Sequence, residues 1–94
     1  MKGAIVVLTR ALAKELSPRA IRVNGVAPGP TRTGFIPDEL VAANPEIIEP
    51  LVRRTALGRL GDGDDIGKVI AALVGDATAW ITGQTIEVSG GFNL

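Results

Sequence analysis

Three stretches of this sequence invite a chemical reading: the glycine run Gly58-x-x-Gly61-x-Gly63, the acidic cluster Asp62, Asp64 and Asp65, and the Pro/Gly-dense segment from Ala27 to Gly34. A glycine run can cradle a phosphate when it joins a strand to a helix N-terminus, because backbone N–H groups then converge on the anion. This run follows no predicted strand, so the required context fails and a flexible loop with a helix cap is expected. The carboxylates lack the spacing of a calcium loop and read as a helix start. The chain has no His, Cys or Tyr. Disulfides and thiolate metal sites are thereby excluded, and almost every side chain able to pass a proton near neutral pH is missing.

The elements that would position these groups form one domain of 94 residues, 46% of them hydrophobic, with ten basic and ten acidic side chains. A net charge of zero argues against nucleic acid or an anionic membrane as partner, since both call for a clustered basic surface. The apolar run from Ala4 to Leu8 is cut off by Arg10, too short for a signal peptide. No stretch approaches the ~20 apolar residues of a membrane span. A cytoplasmic location is expected.

From Gly3 to Leu16 the periodicity is helical, with Ala4, Ile5, Leu8, Ala11, Leu12 and Leu16 on one broad face. Val6, Val7 and Ala13 widen the apolar arc, which predicts burial against two neighbours, such as a sheet and a partner subunit. Pro18 ends the helix. A strand is expected over Ile21–Val26 and another over Gln84–Val88, stopped by Gly90-Gly91. Between them, Pro37 with Asp38-Glu39 opens one short helix, and Asn44-Pro45-Glu46 opens a second running to about Arg54. A loop over 57–61 then leads, with Asp62 or a neighbour as cap, into a helix from about Asp64 to Val74 striped by Ile66, Val69, Ile70 and Leu73. Asn24 reads as a strand amide tying down a neighbouring loop. Trp80 and Phe92 read as core or interface. The order helix, strand, helices, strand implies α/β architecture with parallel strands. Two parallel strands alone do not make a stable sheet, so the chain reads as missing strands.

Three blocks together resemble the short-chain dehydrogenases/reductases (SDRs). Ile21-Arg22-Val23-Asn24-Gly25-Val26-Ala27-Pro28-Gly29 is similar to their penultimate-strand signature. Gly58-Arg59-Leu60-Gly61 with Asp64-Asp65-Ile66 resembles the entry to their last long helix, and Ile81 to Gly91 resembles their C-terminal strand. The resemblance runs along the whole chain and corresponds to about the last third of a typical member. It implies the C-terminal part of a Rossmann-like doubly wound parallel sheet, with 1–94 lacking the cofactor-binding N-terminal half and 34–54 forming a substrate-lid-like segment. Gly63 stands where many members have Pro, and Ser89 where many have Asp.

The resemblance also assigns chemistry. The family reduces carbonyls or oxidises alcohols by hydride transfer with NAD or NADP. Lys2-Gly3-Ala4 matches the end of the family's Tyr-x-x-x-Lys motif, so Lys2 takes the place of the Lys that lowers the Tyr pKa and holds the nicotinamide ribose. The Tyr would stand four positions before Lys2. Pro28 and Gly29 would wall the nicotinamide, Thr31 would offer its backbone to the carboxamide and Thr33 its hydroxyl. Read without the family, the same loop is a turn that redirects the chain. The expectation is therefore a truncated SDR, inactive alone and binding no cofactor by itself. The alternative is a non-catalytic module that self-associates or pairs with SDR relatives through its first helix and its last helix and strand. The apolar 34–54 segment hints at a lipophilic or small alcohol/ketone substrate.

Overall fold

The computed structural model describes residues 2–32 and 37–94. Helix α1 (Lys2–Leu16) runs into a 3-10 turn, Ser17–Arg19, where Pro18 stops the α-helical ladder as expected. Strand β1 (Gly25–Pro28) pairs in parallel with β4 (Thr85–Val88), Gly25 opposite Thr85 and Pro28 opposite Val88. A second parallel pair joins β2 (Thr31–Arg32) to β3 (Gly61–Asp62). Helices α2 (Asp38–Ala43) and α3 (Pro45–Arg53) lie between β2 and β3, and α4 (Gly63–Val74) follows β3 directly. The result is the expected α/β architecture with parallel strands, part of a Rossmann-like sheet.

The first strand begins later than its β-branched residues suggest. Residues 21–24 do not belong to the ladder; the Val23 carbonyl accepts the Gly83 N–H at 2.7 Å, and side chains make most of the other ties to the segment before β4. Arg22 reaches the loop after α4, with Nη1 donating to the carbonyls of Thr78 (2.9 Å) and Ile81 (3.1 Å) and Nη2 to that of Gly75 (3.3 Å). Asn24 donates from Nδ2 to the Ile81 carbonyl at 3.1 Å and accepts the Gln84 N–H at 3.1 Å. It ties down the loop entering β4, as the sequence indicated.

Helix α1 also presents an unexpected face. Thr9 and Ala13 are its buried residues, with Val6, Leu12 and Leu16 half-buried, while Ile5, Val7 and Leu8 are exposed. Close approach explains this. A Cβ on Gly25 would lie 3.2 Å from Thr9 Oγ1, and one on Gly83 3.5 Å from Ala13 Cβ. The helix packs through its small residues, and the bulkier face turns outward. Val26, next to Gly25 and so on the other face of the strand, lines a groove with Ile70, Leu73 and Val74 of α4. The two long helices thus cover opposite faces of the β1–β4 pair.

The interior is thin. Only Thr9, Ala13 and Thr55 are buried among the described residues. The accessible surface is 6858 Å², against about 5,100 Å² for an ordinary folded monomer of this mass. Trp80 is wholly exposed, which removes it from the core. Phe92 is half-buried, with the Arg54 guanidinium 5.0 Å from its ring centre.

Candidate cofactor-facing site

Parallel strands gather ligands outside their carboxyl ends, where loops and helix N-termini converge. Here β1 and β4 end together at Pro28 and Val88, and the ladder closes with Gly29 N–H donating to the Val88 carbonyl at 3.2 Å. Gly29 then passes hard against the residue after β4. A Cβ there would stand 2.7 Å from Ser89 Cβ and 2.8 Å from its Cα, so only glycine fits. Thr31 Oγ1 donates to the Gly29 carbonyl at 2.7 Å, fixing the turn from within. Its hydroxyl proton is engaged locally. Thr31 and Arg32 form β2, with Gly61 N–H donating to the Pro30 carbonyl at 3.0 Å.

The sequence shows no sign of that short pairing: 57–61 reads as loop throughout, and two residues per strand are too few to show a pattern. It places the N-terminus of α4 beside the loop after β1. Pro28, Gly29, Thr31, Gly63 and Ile66 line an open, mostly apolar cleft of about 390 Å³ there. A smaller cavity of about 160 Å³ adjoins it, lined by Thr31, Arg59, Asp65 and Ser89 among others.

Asp62 caps α4 as expected, and its backbone N–H donates to Asp65 Oδ2 at 2.7 Å, one half of a capping box. Arg59 grips the same carboxylate with Nη1 at 2.7 Å and Nη2 at 3.1 Å. The Arg59 hydrogen bond, and after it the Asp62 N–H, hold the Asp65 carboxyl down at about 2. In return, Asp65 raises the Arg59 pKa. The helix start is thus occupied by the protein's own carboxylates, and the N–H groups of Gly61 and Asp62 are already engaged. Gly61 opens β3 and Gly63 opens α4, so β3 enters α4 without an intervening turn. No group of His, Cys, Asp or Glu suited to a metal occurs among the described residues.

Of the residues marked for cofactor work, Pro28, Gly29 and Thr31 come together at this cleft. Thr33 and the Lys2 side chain lie outside the described residues, although Lys2 itself opens α1. Sequence reasoning missed the part played by Ser89. Its signal was small size directly before Gly90-Gly91, at the end of the strand that Gly29 must pass.

A Rossmann-like α/β fragment with a cleft at its strand ends is the class this geometry defines. Residues 1–93 match the family described as enoyl-(acyl carrier protein) reductase. An uncharacterized oxidoreductase of Bacillus subtilis is 43% identical over 91 residues, covering 97% of this chain and 34% of the relative. A solved short-chain dehydrogenase/reductase from Serratia marcescens is 38% identical with a TM-score of 0.85, over 99% of this chain and 36% of that one. A 3-oxoacyl-(acyl-carrier protein) reductase from Brucella melitensis with bound NAD is 35% identical with a TM-score of 0.78, over 99% and 32%. The chain belongs to the short-chain dehydrogenase/reductase family. It spans about a third of the length of the relatives it matches.

Proposed function

We propose that this chain supplies the nicotinamide-side wall and the substrate-covering helices of a cytoplasmic NAD(P)-dependent oxidoreductase acting on an alcohol or carbonyl, and that alone it transfers no hydride. The observation that carries this is the Gly29–Ser89 contact. It fixes the Pro28–Thr31 loop at the carboxyl ends of two parallel strands, beside an apolar cleft. A planar, weakly polar ring suits such a wall, with the backbone of Thr31 at its edge. The Brucella relative with bound NAD supports the cofactor class.

The fit is one-sided. Pro28, Gly29 and Thr31 would hold the nicotinamide end, with Lys2 and Thr33 joining them by the family resemblance. Nothing near α4 suits the phosphates, because Asp62, Asp64 and Asp65 crowd that helix start. When bound, the cofactor supplies the hydride. This chain's part is to orient the ring and cover the substrate with the 34–54 segment, which it does without a proton donor of its own.

Two experiments test the reading. Purified chain mixed with NADH or NADPH and a panel of ketones is expected to leave the dihydronicotinamide absorbance unchanged; steady oxidation would overturn the inactivity. The coding DNA upstream of Met1 is expected to continue in frame with a Tyr codon four positions before Lys2. In that longer product, Gly29→Ala should raise the KM for NAD(P)H.

A second reading is supported by the exposed apolar faces: Ile5, Val7 and Leu8 on α1, Ile70 and Val74 on α4, and Trp80 beyond it. Surfaces of this kind mark association sites. On this reading the chain self-associates or pairs with SDR relatives through these faces. Sedimentation should show assemblies that Val7→Lys with Val74→Lys reduces to monomer. A compact, soluble monomer before substitution would count against it.

A further inference from the structure

The last turn of the chain touches both the loop after β1 and the exit of the helical segment α2–α3. On one side, Ser89 lies against Gly29. On the other, the carbonyls of Gly91 and Gly90 accept the N–H groups of Ala56 (3.2 Å) and Leu57 (2.9 Å), and Asn93 N–H donates to the Arg54 carbonyl at 2.9 Å. Thr55 and Phe92 face each other in an antiparallel bridge. Packing leaves no slack, since a Cβ on Gly91 would lie 2.6 Å from Ala56 Cβ. Arg54 closes the outside, its Nε donating to Asn93 Oδ1 at 2.9 Å. One side-chain bond folds the turn back onto the strand end: Phe92 N–H donates to Ser89 Oγ at 3.2 Å.

Three segments far apart in sequence therefore pack as one block: 29–31, 54–57 and 89–93. We propose that Ser89 is a positioning residue. Its Cβ sets the height of the Gly29 loop, and its hydroxyl fixes the turn that carries the exit of α3. The position of the substrate-covering helices and that of the nicotinamide-facing loop are thereby coupled. The consequence for the reaction rests on the nicotinamide reading above; the mechanical coupling does not.

Ser89→Ala separates the two roles, because it keeps the Cβ against Gly29 and removes only the acceptor. Amide hydrogen exchange followed by NMR on the 94-residue chain reads the result. Loss of one hydrogen bond should speed exchange about fivefold at Phe92 and, through the block, at Ala56, Leu57 and Gly29. Val26 and Ile86 should be unaffected, and Ser89→Thr should restore the original rates. Acceleration confined to Phe92, or equal at every amide, would overturn the coupling. In the longer, active product, Ser89→Ala should raise the KM for NAD(P)H and for the carbonyl substrate together, with kcat nearly unchanged. Coupled exchange with neither KM altered would overturn the positioning role. Failure of the nicotinamide reading would show separately, as Gly29→Ala leaving the cofactor KM unchanged.

Discussion

The carboxyl end of the β1–β4 pair and the helices that flank the pair are built by opposite means. At the carboxyl end glycines meet their neighbours closely: Gly29 on Ser89 and Gly91 on Ala56 leave no room for a side chain, and Gly61 N–H donates to the Pro30 carbonyl. Along the helices the packing is loose, with Val7 68% and Val74 76% exposed. Precision here belongs to polar and backbone geometry, which three short segments can complete among themselves. Burial of apolar surface needs area, and 94 residues arranged as two short parallel strand pairs and four helices provide little of it. A cofactor-facing edge can therefore be well formed on a body whose hydrophobic faces are open.

This contrast is broken most directly by adding one methyl group at the tight end. Gly91 has φ +81°, a region costly for other residues, and its added Cβ would sit 2.6 Å from Ala56 Cβ. Gly91→Ala should destabilise by about 2–4 kcal/mol, strain and overpacking combined. In urea denaturation the midpoint should fall with an unchanged slope. A loss below about 1 kcal/mol would show that the last turn yields easily, and that the tight end is no tighter than the helices.

Arg22 tests the join between the two regions. It holds three carbonyls of the loop after α4, at Gly75, Thr78 and Ile81. Arg22→Ala should cost about 2 kcal/mol, because half-buried carbonyls lose a charged donor. Hydrogen exchange on the same variant should show α4 exchanging faster while the 89–93 turn keeps its protection. Uniform loss would mean that the two regions unfold as one.

How much of this was legible in sequence follows from the same physics. The Pro18 stop, the Asp62 cap, the Asn24 tie and the family blocks could be read because each depends on one residue type at one place. The inward face of α1 could not. Thr9 and Ala13 are poorer hydrophobes than Ile5 and Leu8, and they face inward because Gly25 and Gly83 let the helix approach closely. Such a choice belongs to two elements distant in sequence. The start of β1 was displaced for a similar reason: Arg22 and Asn24 found partners near residues 75–84, and no local pattern reports that. At the site, Gly29 was marked, but the Ser89 that makes glycine necessary there was not.

At the loose end a methyl group should have the opposite sign. Gly67 lies within α4, and a Cβ added to it would meet nothing within 4 Å. Gly67→Ala should stabilise by about 0.5–1 kcal/mol through helix propensity alone. A thermal melt rising by a few degrees would sharpen the comparison, since the same substitution lowers stability at Gly91. A fall would mean that the α4 surface is more crowded than its exposure indicates.

The smallest effect is expected from acid, at the junction of the two regions. Asp65 accepts from Arg59 and from the Asp62 N–H, and its carboxyl is held at about 2, below the ordinary value of 3.8. A carboxyl lowered on folding contributes stability that is fully present above its unfolded value and is lost as pH falls toward its folded one. The window is therefore about pH 4 to 2. Both partners are solvent-exposed and the pair is screened by salt, so the change should be local and slight. Exchange at the first turn of α4 should quicken across that window, and less steeply at high ionic strength. Asp65→Asn should remove most of the pH dependence there while leaving the Gly29 and Leu57 amides as protected as before. If those amides followed Asp65 instead, the start of α4 would be part of the tight end, and the boundary between the two regions would lie beyond it.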